Sequence, residues 1–282
     1  MTIQPINLRP LKAGEILDRA FRLYRVHFWR FIGIAGILLG PLLVLALLSQ
    51  FIFHNTSIVD FIQSLLTVYL LHGALIWAAS HAYLGKQATM NDSYRAAQRY
   101  SRRFIRVNIR QGLAYISLII IAVIIIFVFS IAAGGSIGMV LVFLVAIPYA
   151  FFFSLRWWFA FPALMLEDLN DSNALKRSWF LTSQNFWHVA VVLIAAGLLA
   201  YLLTLLPSIL ISYALLQFSA INEISTALAS AITQLGTIIT LPLSISILVI
   251  AYYDMRVRLE GYDLELALQS TPETFEITHE SV

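Results

Sequence analysis

The sequence contains no cysteine, which excludes disulfides, thiolate catalysis and Cys-ligated metals together. Charge is nearly as scarce: Asp, Glu, Lys and Arg make up 12% of the 282 residues, against about 25% in an ordinary soluble domain. No Asp or Glu falls inside any long apolar run; Asp60 and Glu223 stand only at the ends of two of them. Ion- and proton-coupled carriers place such carboxylates along their pathways, so this absence weighs against that class. A Walker loop, a His-Glu zinc pair, a Gly-x-Ser-x-Gly elbow and the dinucleotide glycine signature are missing as well. The expectation is a chain without catalysis, cofactor or bound metal.

What is abundant is apolar side chain, at 60% of the residues and a mean hydropathy of +0.83. A water-soluble fold of this size has no interior large enough to hide it, so lipid must be the solvent for most of the chain. A helical span needs ~20 apolar residues. Six runs qualify: Phe31–Phe53, Phe61–Leu84, Leu113–Ala133, Ile137–Phe161, Phe186–Leu206 and Ile224–Tyr253. The first is too long for a signal-peptide core of about 7–15 residues. Pro207–Asn222 is apolar but short, and either continues the fifth helix past a proline or re-enters at the outer face. The predicted architecture is all-α: one polytopic membrane bundle over residues 1–268. It comprises an arm and surface helix to residue 30, spans over 31–253, a packing segment over 254–268 and a disordered tail from 269.

The basic residues are segregated. All 18 Lys and Arg lie in the N-terminal segment, in or beside the loops after the second and fourth runs, or after the sixth. Lys/Arg bias sets orientation, so both termini are expected in the cytoplasm. The net charge of +3 and pI near 9.2 then reflect the anionic leaflet rather than nucleic acid.

The same segments repeat. Arg19, Arg95 and Arg177 are spaced by 76 and 82 residues, as are Phe28, Phe104 and Phe186, and Phe28-Trp29 matches Phe186-Trp187. The inferred unit is an amphipathic surface helix followed by two spans, three times over. In the first helix Ile16, Leu17, Ala20, Phe21, Tyr24 and Phe28 recur at helical spacing, with Glu15–Arg19 and Asp18–Arg22 as i,i+4 pairs. Thr89 with Asp92 reads as a capping box and Asp171 as another N-cap. Such helices are expected in the headgroup plane, apolar faces down, with Arg19, Arg22, Arg95, Arg99, Arg102, Arg103, Arg106 and Arg177 against anionic headgroups.

Inside the spans the candidates are few. Arg156 is the one charged side chain embedded in a run, beside Trp157 and Trp158; it either anchors the helix, by snorkelling or by pairing with Glu167 or Asp168, or faces a ligand. His72 and His81 point to nearly opposite sides of a helix and read as packing residues. In the sixth run Thr226, Ser230, Thr233, Thr237, Thr240 and Ser244 form a seam, with Gln234 beside it. It is either a close helix contact or the lining of a polar path. Gly36 and Gly40 predict close contact in the first run. After the sixth, Asp254–Arg258 and Arg256–Glu260 should pair, Gly261 should end the helix, and Tyr262, Leu264, Leu266 and Leu268 alternate as in an extended segment packed on the N-terminal arm or first helix.

Three stretches carry a family resemblance: Leu8-Arg-Pro-Leu-Lys-Ala-Gly-Glu-Ile-Leu-Asp-Arg-Ala-Phe-Arg-Leu-Tyr-Arg25, Ala174-Leu-Lys-Arg-Ser-Trp179 and Tyr252-Tyr-Asp-Met-Arg-Val-Arg-Leu-Glu-Gly-Tyr-Asp-Leu264. They resemble the glycerophosphoryl diester phosphodiesterase membrane domain and related prokaryotic membrane proteins. In some members that bundle is joined to a catalytic α/β barrel, whose His-Arg start matches none of the six histidines. The resemblance therefore implies the membrane module without the barrel's activity, in a prokaryotic cytoplasmic (inner) membrane. The expected function is a non-catalytic scaffold, regulatory or assembly module contacting anionic lipid, with a protein partner or second copy possible. The alternative is a transporter or lipid-handling protein with a cavity between the repeats.

Overall fold

The computed structural model describes residues 9–53, 56–133, 135–217 and 222–270. Among them there are helices and short connections and no strand. The order is α1 (Ala13–Val26), α2 (Phe28–Phe53), α3 (Ser57–Leu66), a π turn at Thr67–Leu71, α4 (His72–Tyr83), α5 (Met90–Ala133), α6 (Gly135–Arg156) and α7 (Ala160–Leu166). There follow α8 (Asp171–Ser183), α9 (Phe186–Ala200), a π turn at Tyr201–Leu205, α10 (Leu206–Gln217), α11 (Asn222–Glu260) and α12 (Tyr262–Ser270). Six helical stretches are long and apolar enough to cross a membrane, from Phe28–Phe53 to Ala227–Glu260, in agreement with the six apolar runs.

The bundle is organised around α11. It packs against α1, α2, α4, α9 and α10, and its residues from Ile247 to Met255 are almost all buried. Pro242 lies inside it without ending it; in a membrane, neighbouring helices and hydroxyls satisfy the carbonyl that proline frees. Two contacts fix the direction of α3–α4 against α11: Gln63 with Gln234 and Ser80 with Tyr253. The separations differ by only two residues, so the second and sixth spans run in the same sense. The outer surface is apolar: Leu113, Ile116, Ile119, Val123 and Phe127 of α5, and Val140, Phe143 and Leu144 of α6, are all at least half exposed. In water such a patch drives aggregation; here it is the face turned to lipid.

The amphipathic helices depart from expectation. The apolar stripe of α1 (Ile16, Ala20, Tyr24) is buried against α11 and α9 rather than laid on lipid. Ala97, Phe104 and Val107 of α5 are likewise wholly buried, with α5 packed on α4. A stripe that finds a complementary helix gains dispersion contacts that loose lipid chains do not supply as densely. The second amphipathic segment is also not a separate helix: it runs straight into the third span as one 44-residue helix. At 1.5 Å per residue that is a rod of about 66 Å. Between Thr89 and Leu113 the only breaker is Gly112, whose position is open on all sides, so nothing in the sequence bends the helix.

Smaller corrections have local causes. Asp171 is the first residue of α8, with Asn170 as its cap. Gly36 and Gly40 touch nothing within contact distance, whereas Gly33 lies under Met90 and Gly73 under Phe104 and Ala97. Pro207 does not create a re-entrant loop: the fifth helix continues as α10, its ladder loosened into a π turn just before the proline. Tyr262–Ser270 is helical, not extended. Gly261 (φ +64°) stops α11, and α12 restarts with Asp263 and Glu265 in its first turn. It packs on α11, Tyr262 stacking on Tyr253, while Leu264 and Leu268 are exposed. Gln269 and Ser270 belong to α12; the rest of the expected tail and the arm before Arg9 lie outside the described residues.

Candidate functional site at the basic end of the bundle

The sequence-predicted arginines divide into those that staple the bundle and those that do not. Arg177 of α8 donates to Glu167 (2.8 Å) and to Glu260 at the end of α11 (2.7 Å). Arg256 lies against Glu260 (3.1 Å) and Glu265 (3.8 Å) and 4.0 Å over the Tyr262 ring. Tyr252 closes the group by donating to Glu167. These side chains are mostly buried, so Arg177 is a structural clamp rather than a headgroup contact. Arg103 holds Asp168 (2.6 Å), and Arg106 and Arg110 lie 3.5 and 3.0 Å from Asp171. The Arg103 hydrogen bond, with a second from Tyr100, keeps Asp168 below the usual carboxylate range. Arg22 pairs with Asp18 as expected and Arg19 reaches the Tyr83 hydroxyl (3.3 Å). Arg95, Arg99 and Arg102 are exposed on α5 and form no salt bridge among the described residues.

A second staple was not visible in the sequence beyond its Asp254–Arg258 pair. The Asp254 side chain has no exposed surface. It accepts from Leu11 N–H (2.6 Å), Arg258 (2.8 Å) and His188 Nε2 (3.1 Å), while Arg258 also donates to the Leu11 carbonyl. The segment before α1, α9 and α11 thus meet at one carboxylate. Only the conjunction of a late Asp with an early, helix-entering Leu could have signalled it, and that needs the tertiary fold.

Arg156 lies at the end of α6. Ser178 of α8 shapes the break that follows, donating to the Arg156 carbonyl (2.7 Å) and accepting from Phe159 N–H (3.1 Å). The guanidinium then lies over three rings: Trp179 (4.8 Å), Phe152 (5.0 Å) and Phe186 (5.3 Å). Its Nε and Nη1 are buried without a hydrogen-bond partner. Neither expected carboxylate reaches it, because Glu167 is taken by Arg177 and Asp168 by Arg103. A cavity of about 310 Å³ beside it is lined by Trp157, Leu175, Lys176 and Trp179. Arg30 at the start of α2 shares one feature with it: its Nε and Nη2 are buried without a hydrogen-bond partner, although Asp92 lines a pocket with it. Arg30, Arg25, His27 and Trp29 line one surface pocket. The preceding ring pairs behave alike: Phe28–Trp29 and Phe186–Trp187 are both edge-to-face, with Trp29 and Trp187 exposed.

From Thr233 to Thr240 the seam of α11 is a helix contact, while the Thr226 side chain lies outside the described residues. Thr240 meets the Thr204 hydroxyl at 2.8 Å, Thr233 donates to Ser208 (2.9 Å), and Gln234 and Gln63 exchange amide hydrogen bonds. Thr237 donates to the Thr233 carbonyl. Arg156 belongs to the α6–α8–α9 corner, whereas Thr233 and Thr240 meet α10 and the π turn before it, so these intramembrane candidates do not form one site. Lower on α11, Ser244 lines a cavity of about 360 Å³ with His72, Gln111, Tyr115, Ser154, Trp157, Trp158, Phe161, Leu241, Ile245 and Leu248. Among the described residues no group of three His, Asp or Glu is placed to hold a metal ion.

No curated protein and no solved structure matches the chain. A family model described as the membrane domain of glycerophosphoryl diester phosphodiesterase matches residues 132–276. That stretch begins at the end of α5, takes in the Arg156 corner, the π turn before α10, α11 with its internal Pro242, and the Arg177–Glu167–Glu260 clamp. It is more than half of the chain, and the chain belongs to the family of glycerophosphoryl diester phosphodiesterase membrane domains.

Proposed function

We propose that this protein is a non-catalytic integral membrane module of a prokaryotic cytoplasmic membrane. Both termini are cytoplasmic, and its scaffold or assembly role runs through anionic lipid bound at the basic end. The observation that carries the reading is the Arg156 guanidinium, shielded by aromatic rings and left without a carboxylate. Cation–π contact contributes about 2 kcal/mol when desolvated, whereas an uncompensated buried charge costs several kcal/mol. An anion supplied by the membrane restores the balance, and Lys176, Trp157 and Trp179 line the space beside it. Arg30, with Arg25 and His27, offers a second such place. The stapled carboxylates support the non-catalytic side of the reading: Glu167, Glu260, Asp254, Asp168 and Asp171 are each already engaged by a basic side chain.

Mild-detergent purification followed by native mass spectrometry tests this. Phosphatidylglycerol or cardiolipin should remain bound to the full chain, and Arg156→Gln should weaken retention about tenfold to a hundredfold, the loss of a charged hydrogen bond. Retention of zwitterionic lipid alone, or retention of anionic lipid unchanged in Arg156→Gln and in Arg30→Gln, would overturn the reading.

A further inference from the structure

The cavity beside His72 shares Trp157 with the cavity beside Arg156 but has a different chemistry. Four elements build it: α4 supplies His72, α5 supplies Gln111 and Tyr115, the α6–α7 region supplies Ser154 and Trp157, and α11 supplies Ser244. Its volume of about 360 Å³ is within the range of small-molecule pockets, ~300–1,000 Å³. The π turn at Thr67–Leu71 sets the histidine. Its Nδ1 stands 2.8 Å from the Thr67 carbonyl, and since a carbonyl only accepts, Nδ1 carries the proton. In the neutral ring Nε2 is then an acceptor on the far side. Tyr115 and Ser154 hydroxyls meet at 2.9 Å, one proton of the pair remaining to be donated elsewhere. Ser244 gives its proton to the Thr240 carbonyl (3.1 Å) and keeps its lone pairs.

The lining therefore offers both donors and acceptors, and no charge. The two nearest cations in sequence are turned away: Arg110, beside Gln111, is held by Asp171 (3.0 Å), and Arg156, beside Trp157, lies in its cage of rings. A phosphate would find no counter-charge here. The remaining wall, Leu241, Ile245 and Leu248 of α11, is apolar. Hydrogen-bonding groups facing hydrocarbon need partners, and an amphipathic molecule with a neutral, hydroxyl-bearing head supplies them while its chains meet the apolar wall.

We propose that this cavity is a binding site for the head of a neutral glycerolipid, of the diacylglycerol type, entering from the bilayer. The proposal is independent of the anionic-lipid reading: each can fail while the other stands.

The test uses the full chain in phosphatidylcholine vesicles with a photoactivatable diacylglycerol. Cross-links are expected at residues 111–115, 154–161 and 241–248. Unlabelled diacylglycerol should suppress them, and equimolar phosphatidylglycerol should not. Ser244→Phe, which fills the cavity, should reduce labelling to background. Where that variant unfolds, Tyr115→Phe with Ser154→Ala keeps the shape, removes the hydroxyls and should weaken labelling about tenfold, the contribution of one or two hydrogen bonds. Labelling spread over the exposed faces of α5 and α6 and indifferent to competitor, or equal competition by phosphatidylglycerol, would overturn the proposal. The same holds for a Tyr115→Phe/Ser154→Ala variant that labels as strongly as the parent.

Discussion

His27 ends α1 between Arg25 and Arg30, in the pocket they line. Burial, and after it the Arg30 charge, holds its pKa below the ordinary 6.5. The sign of the resulting pH dependence follows. The unfolded chain takes the proton more readily, so the stability this residue contributes is present above about pH 6.5 and declines as pH falls through that unfolded value. A bound anion would reverse the preference, so phosphatidylglycerol affinity should rise between about pH 7.5 and 5.5 and His27→Gln should flatten the rise. Binding isotherms on vesicles at both pH values check this; a slope unchanged in His27→Gln would assign it elsewhere. At this scale the sequence was legible in part. The i,i+4 pairs Asp18–Arg22, Asp254–Arg258 and Arg256–Glu260 and the Thr89–Asp92 box are local and follow from helical spacing. Arg156 was visible as an anomaly but its partners were not: the competition among Arg103, Arg177 and Arg156 for two carboxylates is settled only by three-dimensional placement.

Among the elements, α4 and α5 show what a glycine is for. Gly73 lies where a methyl would meet Phe104 and the Ala97 Cβ, at 2.6 and 3.1 Å, whereas Gly112 has open space around it. Gly73→Ala should therefore destabilise the α4–α5 contact by about 1–3 kcal/mol. Gly112→Ala should stabilise α5 by about 1 kcal/mol through helix propensity. Thermal unfolding of the two variants in detergent should move in opposite directions. Span positions, the Thr89–Asp92 box and the Gly261 stop were readable because apolar length and capping chemistry are local. The path of α12 was not. Tyr262, Leu264, Leu266 and Leu268 alternate, which an extended chain would gather on one side. The helix divides them: Tyr262 and Leu266 are half-buried, Leu264 and Leu268 exposed. Seven residues rich in Leu, Glu and Ala have helix propensity enough to override so short an alternation. The close glycine contacts escaped for the opposite reason, since small-residue spacing at Gly36 and Gly40 says nothing of whether a neighbour is present.

For the whole molecule, the segregation of Lys and Arg makes a topological claim that the fold leaves open to experiment. Reporter fusions at Thr56, Gly135 and Asn222 should report the outer side, and a fusion at the C-terminus the cytoplasm. An external C-terminus would invert the assignment of Arg156 and Arg30 to the anionic leaflet. The rod of α5 adds a mechanical consequence. A helix can meet a thicker or thinner bilayer by kinking or by tilting, and α5, 44 residues long with no internal proline, has little but tilt to offer. Its C-terminal half faces lipid, while its N-terminal half carries Arg103, Arg106 and Arg110, joined to Asp168 and Asp171. Tilt imposed on α5 by the hydrocarbon is thus delivered, over the length of one lever, as displacement at those ion pairs: a change in membrane thickness that α5 meets by tilting loads the fastening at the basic end.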